Sequence, residues 1–476
     1  MISLEADASD ILSLTKGLRN STTLAGRLPG DVIEKIMMRA SERDLVGASH
    51  LCRRWRDSLT SSPRLWTDFQ CEQVVQTQQH LKWSQPFPIN VTTDYGSDVQ
   101  AVIALKSATG RFKSLTLRLS PLNLSYVFGE LVTPAPALEH LEISVTSLFG
   151  KKRLDRLGIP ATFLQGHTPA LKSLIINGIS TSSYYCYFPA LTHLSLTTDT
   201  GTFYMSQLFQ LFASARLLED VSVKFCGSTV PVQESQDIIQ LQRIRTLKFS
   251  NAVEKFPTQL LFFLDTPSVK EVVLDIRLSW DCTRTMRDLL PPLHILNLDN
   301  LELDVPAACC YIRFSGPSRV VSINIKSSGS RRLDGGFQSR WLDSLEPESF
   351  AHVKHLTLRN YNPTEQFNQY SVLKLLRTMD GVRSLIVERC SNTRIVEALS
   401  LSTEEGRIDL VFPKLESLTL RGHVQEEIFP GLRDMARVRE GTGFRLSDVS
   451  FDQYVYDSDA DSFKPYVGRV ERNRGL

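Results

Sequence analysis

The sequence predicts an α/β protein: a short helical module at the N-terminus, then a long array of parallel strands joined by helices or irregular segments. Three observations carry this. Residues 28–66 place apolar side chains at three-to-four spacing behind helix-start signals. From residue 66 onward one apolar triplet recurs: apolar, two residues, apolar, one residue, apolar. Helix-like tracts fall between the triplets, and strand alternating with helix means parallel strands linked by right-handed crossovers.

The helical module begins at Leu28-Pro29-Gly30-Asp31-Val32-Ile33-Glu34-Lys35-Ile36. Proline is best tolerated in a first turn, and Val32, Ile33, Ile36 and Met37 then mark one apolar stripe. A second helix is expected behind Ser41, an N-cap with Asp44 three residues on, with Leu45, Ala48, Leu51, Cys52 and Trp55 recurring on one face. Gly47 lies inside it, a loss of roughly 1 kcal/mol relative to alanine. Leu65-Trp66 closes the module. About forty residues cannot bury a self-sufficient core, so these stripes need the rest of the chain or a partner.

The triplets are Phe112-Leu115-Leu117, Leu138-Leu141-Ile143, Leu171-Leu174-Ile176, Leu191-Leu194-Leu196, Leu218-Val221-Val223 and Ile244-Leu247-Phe249. They continue as Val269-Val272-Leu274, Leu293-Leu296-Leu298, Val320-Ile323-Ile325, Val353-Leu356-Leu358, Val382-Leu385-Val387, Leu415-Leu418-Leu420 and Leu446-Val449-Phe451. Their central residues stand about 28 positions apart on average, a repeat-protein period. Weaker copies at Trp66-Phe69-Cys71 and Pro86-Ile89-Val91 extend the array back to the helices. Pro136, Pro169, Pro189, Pro267, Pro291 and Pro413 each precede a central residue by five positions, as expected where proline ends a helix and leads into a strand. The helix-like tracts include Met205–Ala215, Glu234–Arg243, Phe256–Leu264, Tyr370–Met379 and Gln425–Arg437.

With these residues in view, the helical stretch resembles the F-box, the module by which substrate receptors of SCF-type ubiquitin ligases dock on a Skp-family adaptor. The array resembles leucine-rich repeats, and the two together resemble the F-box/leucine-rich-repeat proteins common in fungi. In that repeat family an asparagine or cysteine stands five positions after the central residue. Cys226 and Cys390 take that place here, whereas Ser120, Ala252 and Tyr361 do not fit it, so the repeats are irregular. The resemblance implies an adaptor-binding surface formed or supported by Leu28, Pro29, Val32, Ile33, Ile36, Leu45, Leu51, Cys52 and Trp55. It implies an F-box at 25–66 and a leucine-rich-repeat solenoid at 67–452; the residues themselves leave 1–24 unassigned and make 453–476, with Asp457, Asp459, Asp461, Arg469, Arg472 and Arg474, a polar and loosely held tail. The implied role is that of a non-catalytic substrate receptor, linked through its adaptor to cullin and RING subunits and binding a protein client. A non-degradative scaffold with the same contacts stays open.

Composition narrows the rest. The 476 residues carry 54 basic and 52 acidic side chains, so no global field favours nucleic acid or anionic membrane. Glu5, Asp7 and Asp10 stand where a signal peptide needs basic and then apolar residues, and no run of about eighteen apolar residues occurs. A soluble intracellular protein is expected, cytoplasmic or nuclear. The eight cysteines form no Cys-x-x-Cys pair, which favours reduced thiols over disulfides or zinc. No nucleophile elbow, phosphate loop or His-Glu-x-x-His motif is present. The expectation is no catalytic residue, no cofactor and no metal.

If the central residues of the triplets face a core, the positions one before, one after and three after them share the opposite sheet face. These read Ser114, Thr116, Arg118; His140, Glu142, Ser144; His193, Ser195, Thr197; His355, Thr357, Arg359; Ser417, Thr419, Arg421. A solvated sheet face and a recognition surface for a protein client both fit, with Arg118, Lys326, Arg359 and Arg421 as candidate client contacts. The alternation of Lys326, Arg359, Glu388, Arg421 and Asp452 allows the charges to pair among themselves. His140 and His193 lie two strands apart, about 10 Å, too far to share one zinc ion.

Overall fold

A computed structural model describes residues 23–145, 158–179, 187–198, 203–225, 229–230, 238–253, 264–278, 298–304, 309–317, 319–327, 350, 352–359, 376, 379–388, 399, 402–404, 407–409, 411–421, 428–451 and 460–472. The chain divides into two compact units, one formed by Met1–Leu218 with Cys226–Val232 and one by Glu219–Phe225 with Gln233–Leu476.

The first unit opens with helices α1 (Leu24–Arg27), α2 (Gly30–Met37), α3 (Glu42–Ser49) and α4 (Arg53–Thr60), then a 3-10 turn at Pro63–Trp66. Strand β1 (Asp68–Gln70), helix α5 (Val74–Trp83), β2 (Ile89–Thr92), α6 (Val99–Ala104), β3 (Phe112–Leu119) and α7 (Pro121–Glu130) follow. Then come β4 (His140–Val145), β5 (Ser173–Asn177), β6 (His193–Thr198) and helix α8 (Met205–Ser214). β1 to β6 pair in chain order, all parallel. Both weak triplets thus form strands, but in the second the in-register residue is Val91, matched to Phe69 and Leu115, and not Ile89. An irregularity in the β2–β3 ladder at Ile89 moves the register there.

The second unit holds β7 (Asp220–Phe225), β8 (Thr246–Val253), β9 (Glu271–Leu278), β10 (Asn300–Asp304), β11 (Cys309–Ser315), β12 (Val320–Ser327), β13 (His355–Arg359), β14 (Ser384–Glu388) and β15 (Ser417–Arg421). Helix α9 (Ile428–Gly441), β16 (Leu446–Phe451) and β17 (Val467–Arg472) complete it. In its main sheet the strands run parallel except β11, which pairs antiparallel with both β10 and β12, and a separate short antiparallel pair joins Ser402–Glu404 to Arg407–Asp409. The spatial order β9-β12-β11-β10-β13 reverses three consecutive strands into a meander. Two triplets are corrected by this. The ladder matches Leu301, and not Leu296, to Leu356, so the copy there is Leu298-Leu301-Leu303, with all three side chains buried. Val321, and not Ile323, pairs with Val272. In the first case the apolar spacing fits two registers, and in both the pairing with distant strands selects the one observed.

Elsewhere the central residues Leu115, Leu141, Leu174, Leu194, Val221, Leu247, Val272, Leu356, Leu385, Leu418 and Val449 are all buried. The prolines act differently from expectation. The N–H of the first apolar residue of a copy donates to the carbonyl three residues back: Leu138 to Ala135, Leu171 to Thr168, Leu191 to Phe188, Val269 to Thr266 and Leu415 to Phe412. Pro136, Pro169, Pro189, Pro267 and Pro413 are therefore the second residues of reverse turns, where a fixed φ near −65° is preorganised. The same turn forms without proline before Leu218, Ile244, Val353 and Val382.

The tract 205–215 is helical as expected, and α9 realises the one near 425–437. In Glu234–Arg243 the described part is a short strand and turn, so the expected helix is corrected there. Residues 256–263, most of Tyr370–Met379, Cys226, Cys390 and the first 22 residues lie outside the described residues. The expected loose tail is corrected as well: Val467–Arg472 extends the sheet as a strand parallel to β16. Val467, buried at the register of Leu446, and Val470, half-buried at that of Val449, supply the apolar contacts that the acidic and basic residues around them obscured.

Candidate functional site

Each helix of the N-terminal module has a local cause. Thr23 caps α1 through its hydroxyl, which accepts from Gly26 N at 3.0 Å. Ser41 and Asp44 form a reciprocal capping box at the start of α3. Those bonds from Ser41 also hold the Asp44 carboxyl below its usual range. The expected single helix from Ser41 to Trp55 is instead two, because the chain turns at His50–Cys52 before α4 begins at Arg53. α2 and α3 both pack on α4.

Ile33, Met37, Leu45, Ala48, Trp55, Leu59, Leu65 and Trp66 make the module's core, with Leu28, Val46, Cys52 and Trp83 partly buried against it. The indole N–H of Trp55 donates to Ala25 O at 2.9 Å, and Arg54 donates to Gly26 O at 3.0 Å, fastening α1 across α4. Trp66 donates to Leu59 O at 2.8 Å. A side chain at Gly47 would meet nothing within 4 Å, so that glycine stands on an open face and its penalty is one of propensity alone.

The nine residues expected to form or support a docking surface divide into two sets. Ile33, Leu45 and Trp55 are buried and Leu28 and Cys52 partly buried, so they support. Pro29 is exposed, Val32 half-buried, Ile36 51 % exposed and Leu51 63 % exposed. Pro29, Val32 and Ile36 are three and four residues apart and form one stripe of α2, beside the buried stripe of Ile33 and Met37. The single expected stripe is thus two, one sealed by α4 and one open. Met38, 55 % exposed at the C-cap of α2, is a further open apolar residue, on a different side of the helix from Ile36, and was not singled out from the sequence. Its signal was a fifth apolar residue, after Val32, Ile33, Ile36 and Met37, just past the end of α2.

A second feature missed by sequence reasoning joins α3 to the elements that follow the module. The Glu42 carboxylate, on the first turn of α3, accepts from Gln70 N at 2.8 Å, Gln76 Nε2 at 2.8 Å and His80 Nε2 at 2.9 Å. Burial works to raise its pKa, but the hydrogen bonds from His80, Gln70 and Gln76 and the charge of His80 outweigh it and hold the carboxyl below 4.5. His80 is itself buried and stacks on Phe69 with ring centres 4.9 Å apart and planes within 6°. Nearby, burial pushes the Cys71 thiol up to about 11 despite its bond with Thr77.

On the strand array the polar face is knit by its own groups. Arg118 donates twice to Glu142, at 3.0 and 3.1 Å, and Asn177 reaches Ser144 at 3.0 Å. In the second unit Arg359 bridges Glu302 and Glu388, the latter at 2.8 Å, and Asp275 accepts from Ser250 and Asn324. Arg421 is exposed at the same ladder position as Glu388 and Arg359. The side chain of Lys326 and residue Asp452 lie outside the described residues. The register places Ser173 between His140 and His193. No helix among the described residues is long and apolar enough to cross a membrane.

Comparison with known proteins agrees on the module. A family model for F-box-like domains matches residues 25–72, and an F-box-like domain therefore occupies that stretch. No curated protein matches the chain. Among solved structures, the crystal structure of the Rad7 and Elc1 complex in yeast aligns over 98 % of this chain and 96 % of that one, at 12 % identity and a TM-score of 0.25. A likeness that distant carries no argument about fold or partner.

Proposed function

We propose that this chain is a non-catalytic substrate receptor of an SCF-type ubiquitin ligase. The helical module docks a Skp-family adaptor, which links it to cullin and RING subunits, and the strand array, read as an irregular leucine-rich-repeat solenoid of fungal type, holds a protein client. Catalysis is proximity alone: the client is held near a ubiquitin-charged enzyme supplied by other subunits, raising its effective concentration. The reading places the protein inside the cell. The single observation that carries it is the open stripe of Pro29, Val32 and Ile36 with Leu51, standing on a module that matches the F-box-like family while its own core is already complete. A stripe of apolar residues left in water on an eight-residue helix asks for a partner surface.

The client contacts proposed are Arg118, Lys326, Arg359 and Arg421. Arg118 and Arg359 are already held by carboxylates of this chain, so an acidic client must displace or share those partners. The first test is co-purification with a Skp-family adaptor, comparing wild type with Leu28→Ala/Pro29→Ala. The double variant is expected to lose most of the adaptor, and equal recovery defeats the docking assignment. Client half-life after deletion of residues 28–66 then separates a ligase subunit from a scaffold: lengthening supports degradation, and no change leaves only the scaffold.

A further inference from the structure

Two kinds of contact join the helical module to the first strand–helix repeat, and they do different work. The apolar contact is a face of Trp66 against Trp83, ring centres 4.6 Å apart, continuous with the module's core. Apolar burial is non-directional, so it brings the two parts together without choosing an angle between them. The polar contacts are the Arg64 guanidinium over the Phe87 ring, 5.3 Å from its centre, a contact with no directional hydrogen bond, and the hydrogen-bonded carboxylate of Glu42. Its two oxygens take three donors from two different elements: the backbone N–H of Gln70 on β1, and Gln76 and His80, one turn apart on α5.

The placement is unusual for an acidic residue in a helix's first turn, where water and the helix dipole would satisfy it without help. β1 pairs only with β2 among the described residues, so its other edge presents backbone donors. The Glu42 carboxylate takes one of them, standing where the next strand's carbonyl would be. His80 is 1 % exposed, and its Nδ1 has no hydrogen-bond partner among the described residues. Its Nε2 proton is committed to Glu42. An apolar residue of similar size would join the two parts with no such desolvation penalty, so what the carboxylate adds is a single geometry.

We infer that Glu42 is a positioning residue: its carboxylate fixes the angle at which the adaptor-docking helices carry the first repeats, and so the direction in which the array presents a client. This rests on the proposed receptor function, but its physical content does not need an adaptor. Pulsed electron–electron resonance between labels introduced as non-canonical amino acids at Lys35 on α2 and Lys113 on β3, both exposed, reads the angle directly.

The full-length wild type is expected to give one narrow distance distribution. Glu42→Ala broadens it about twofold and speeds exchange of the Gln70 amide about tenfold, while the ladder amides of Leu115 and Leu141 keep their protection. Glu42→Gln, which keeps one acceptor oxygen, falls between. Narrow distributions in both variants overturn the inference. Should Glu42→Ala lose ladder protection altogether, Glu42→Gln decides: broadening supports the inference, and an unchanged width or the same global loss overturns it. Adaptor co-purification on the same samples keeps the two ideas apart. A wild type that fails to retain the adaptor ends the receptor reading and leaves the distance result standing on its own.

Discussion

Ile33 and Ile36 have the same side chain three positions apart on α2, yet Ile33 is fully buried and Ile36 half exposed. Substituting them separates stability from docking. Ile33→Ala removes buried methyl groups and leaves a cavity, an expected loss of roughly 2–5 kcal/mol in urea unfolding. Ile36→Asp is expected to leave the unfolding midpoint nearly unchanged while weakening adaptor binding by about 2 kcal/mol or more, roughly thirtyfold, in titration calorimetry. Equal effects of Ile36→Asp on folding and binding would remove the distinction. Glu42 makes a prediction in pH. Its folded-state pKa lies below the usual 4.5, so its stabilisation is fully present above about that value and disappears as pH falls through the folded-state pKa. Thermal unfolding from neutral pH down to about pH 3 is therefore expected to show wild type exceeding Glu42→Gln at neutral pH, with the difference shrinking at the acid end.

The recurring element is a reverse turn feeding a strand, and its most elaborate version holds α9 in place. Phe412, the first residue of the turn before β15, has φ +53°, a left-handed conformation that costs a bulky side chain free energy. Arg439 of α9, with no exposed surface, donates to the carbonyls of Val411 and Phe412 at 3.1 and 2.7 Å. Burial pulls its guanidinium down to about 10, which still leaves it a cation at neutral pH. Arg439→Ala strips a buried carbonyl of its donor and opens a void, so it is expected to destabilise the second unit by about 3–5 kcal/mol in urea unfolding followed by hydrogen exchange at β15 and β16. Arg439→Met fills the void without a charge to desolvate and is expected to lose less. The turn regularity was visible as a proline every few copies, but its cause was not. Pro136 and Pro189 preorganise a bend that Arg216 and Gln242 make without them, and only the hydrogen bond from Leu218 or Ile244 shows it.

Across the whole molecule, the apolar triplets and the capping box were legible because both are local. Side chains alternate along any strand, and a hydroxyl three residues from a carboxylate caps any helix that follows. From these alone the chain declared its strand array, the burial of Leu115, Leu247 or Leu385, and the start of the helix behind Ser41. Three things needed the tertiary structure. The β10–β12 meander and the choice of Leu301 over Leu296 depend on which distant strands lie alongside, since an apolar run such as residues 293–303 offers more than one register of similar pattern. The open state of Ile36 and Leu51 depends on where α4 comes to rest against α2, and apolar character alone does not say which of two adjacent stripes a neighbour will cover. Glu42 reads as an ordinary acidic residue in a first turn until β1 and α5 fold back to meet it, because hydrogen-bond partners 28 and more residues away leave no periodicity in the chain.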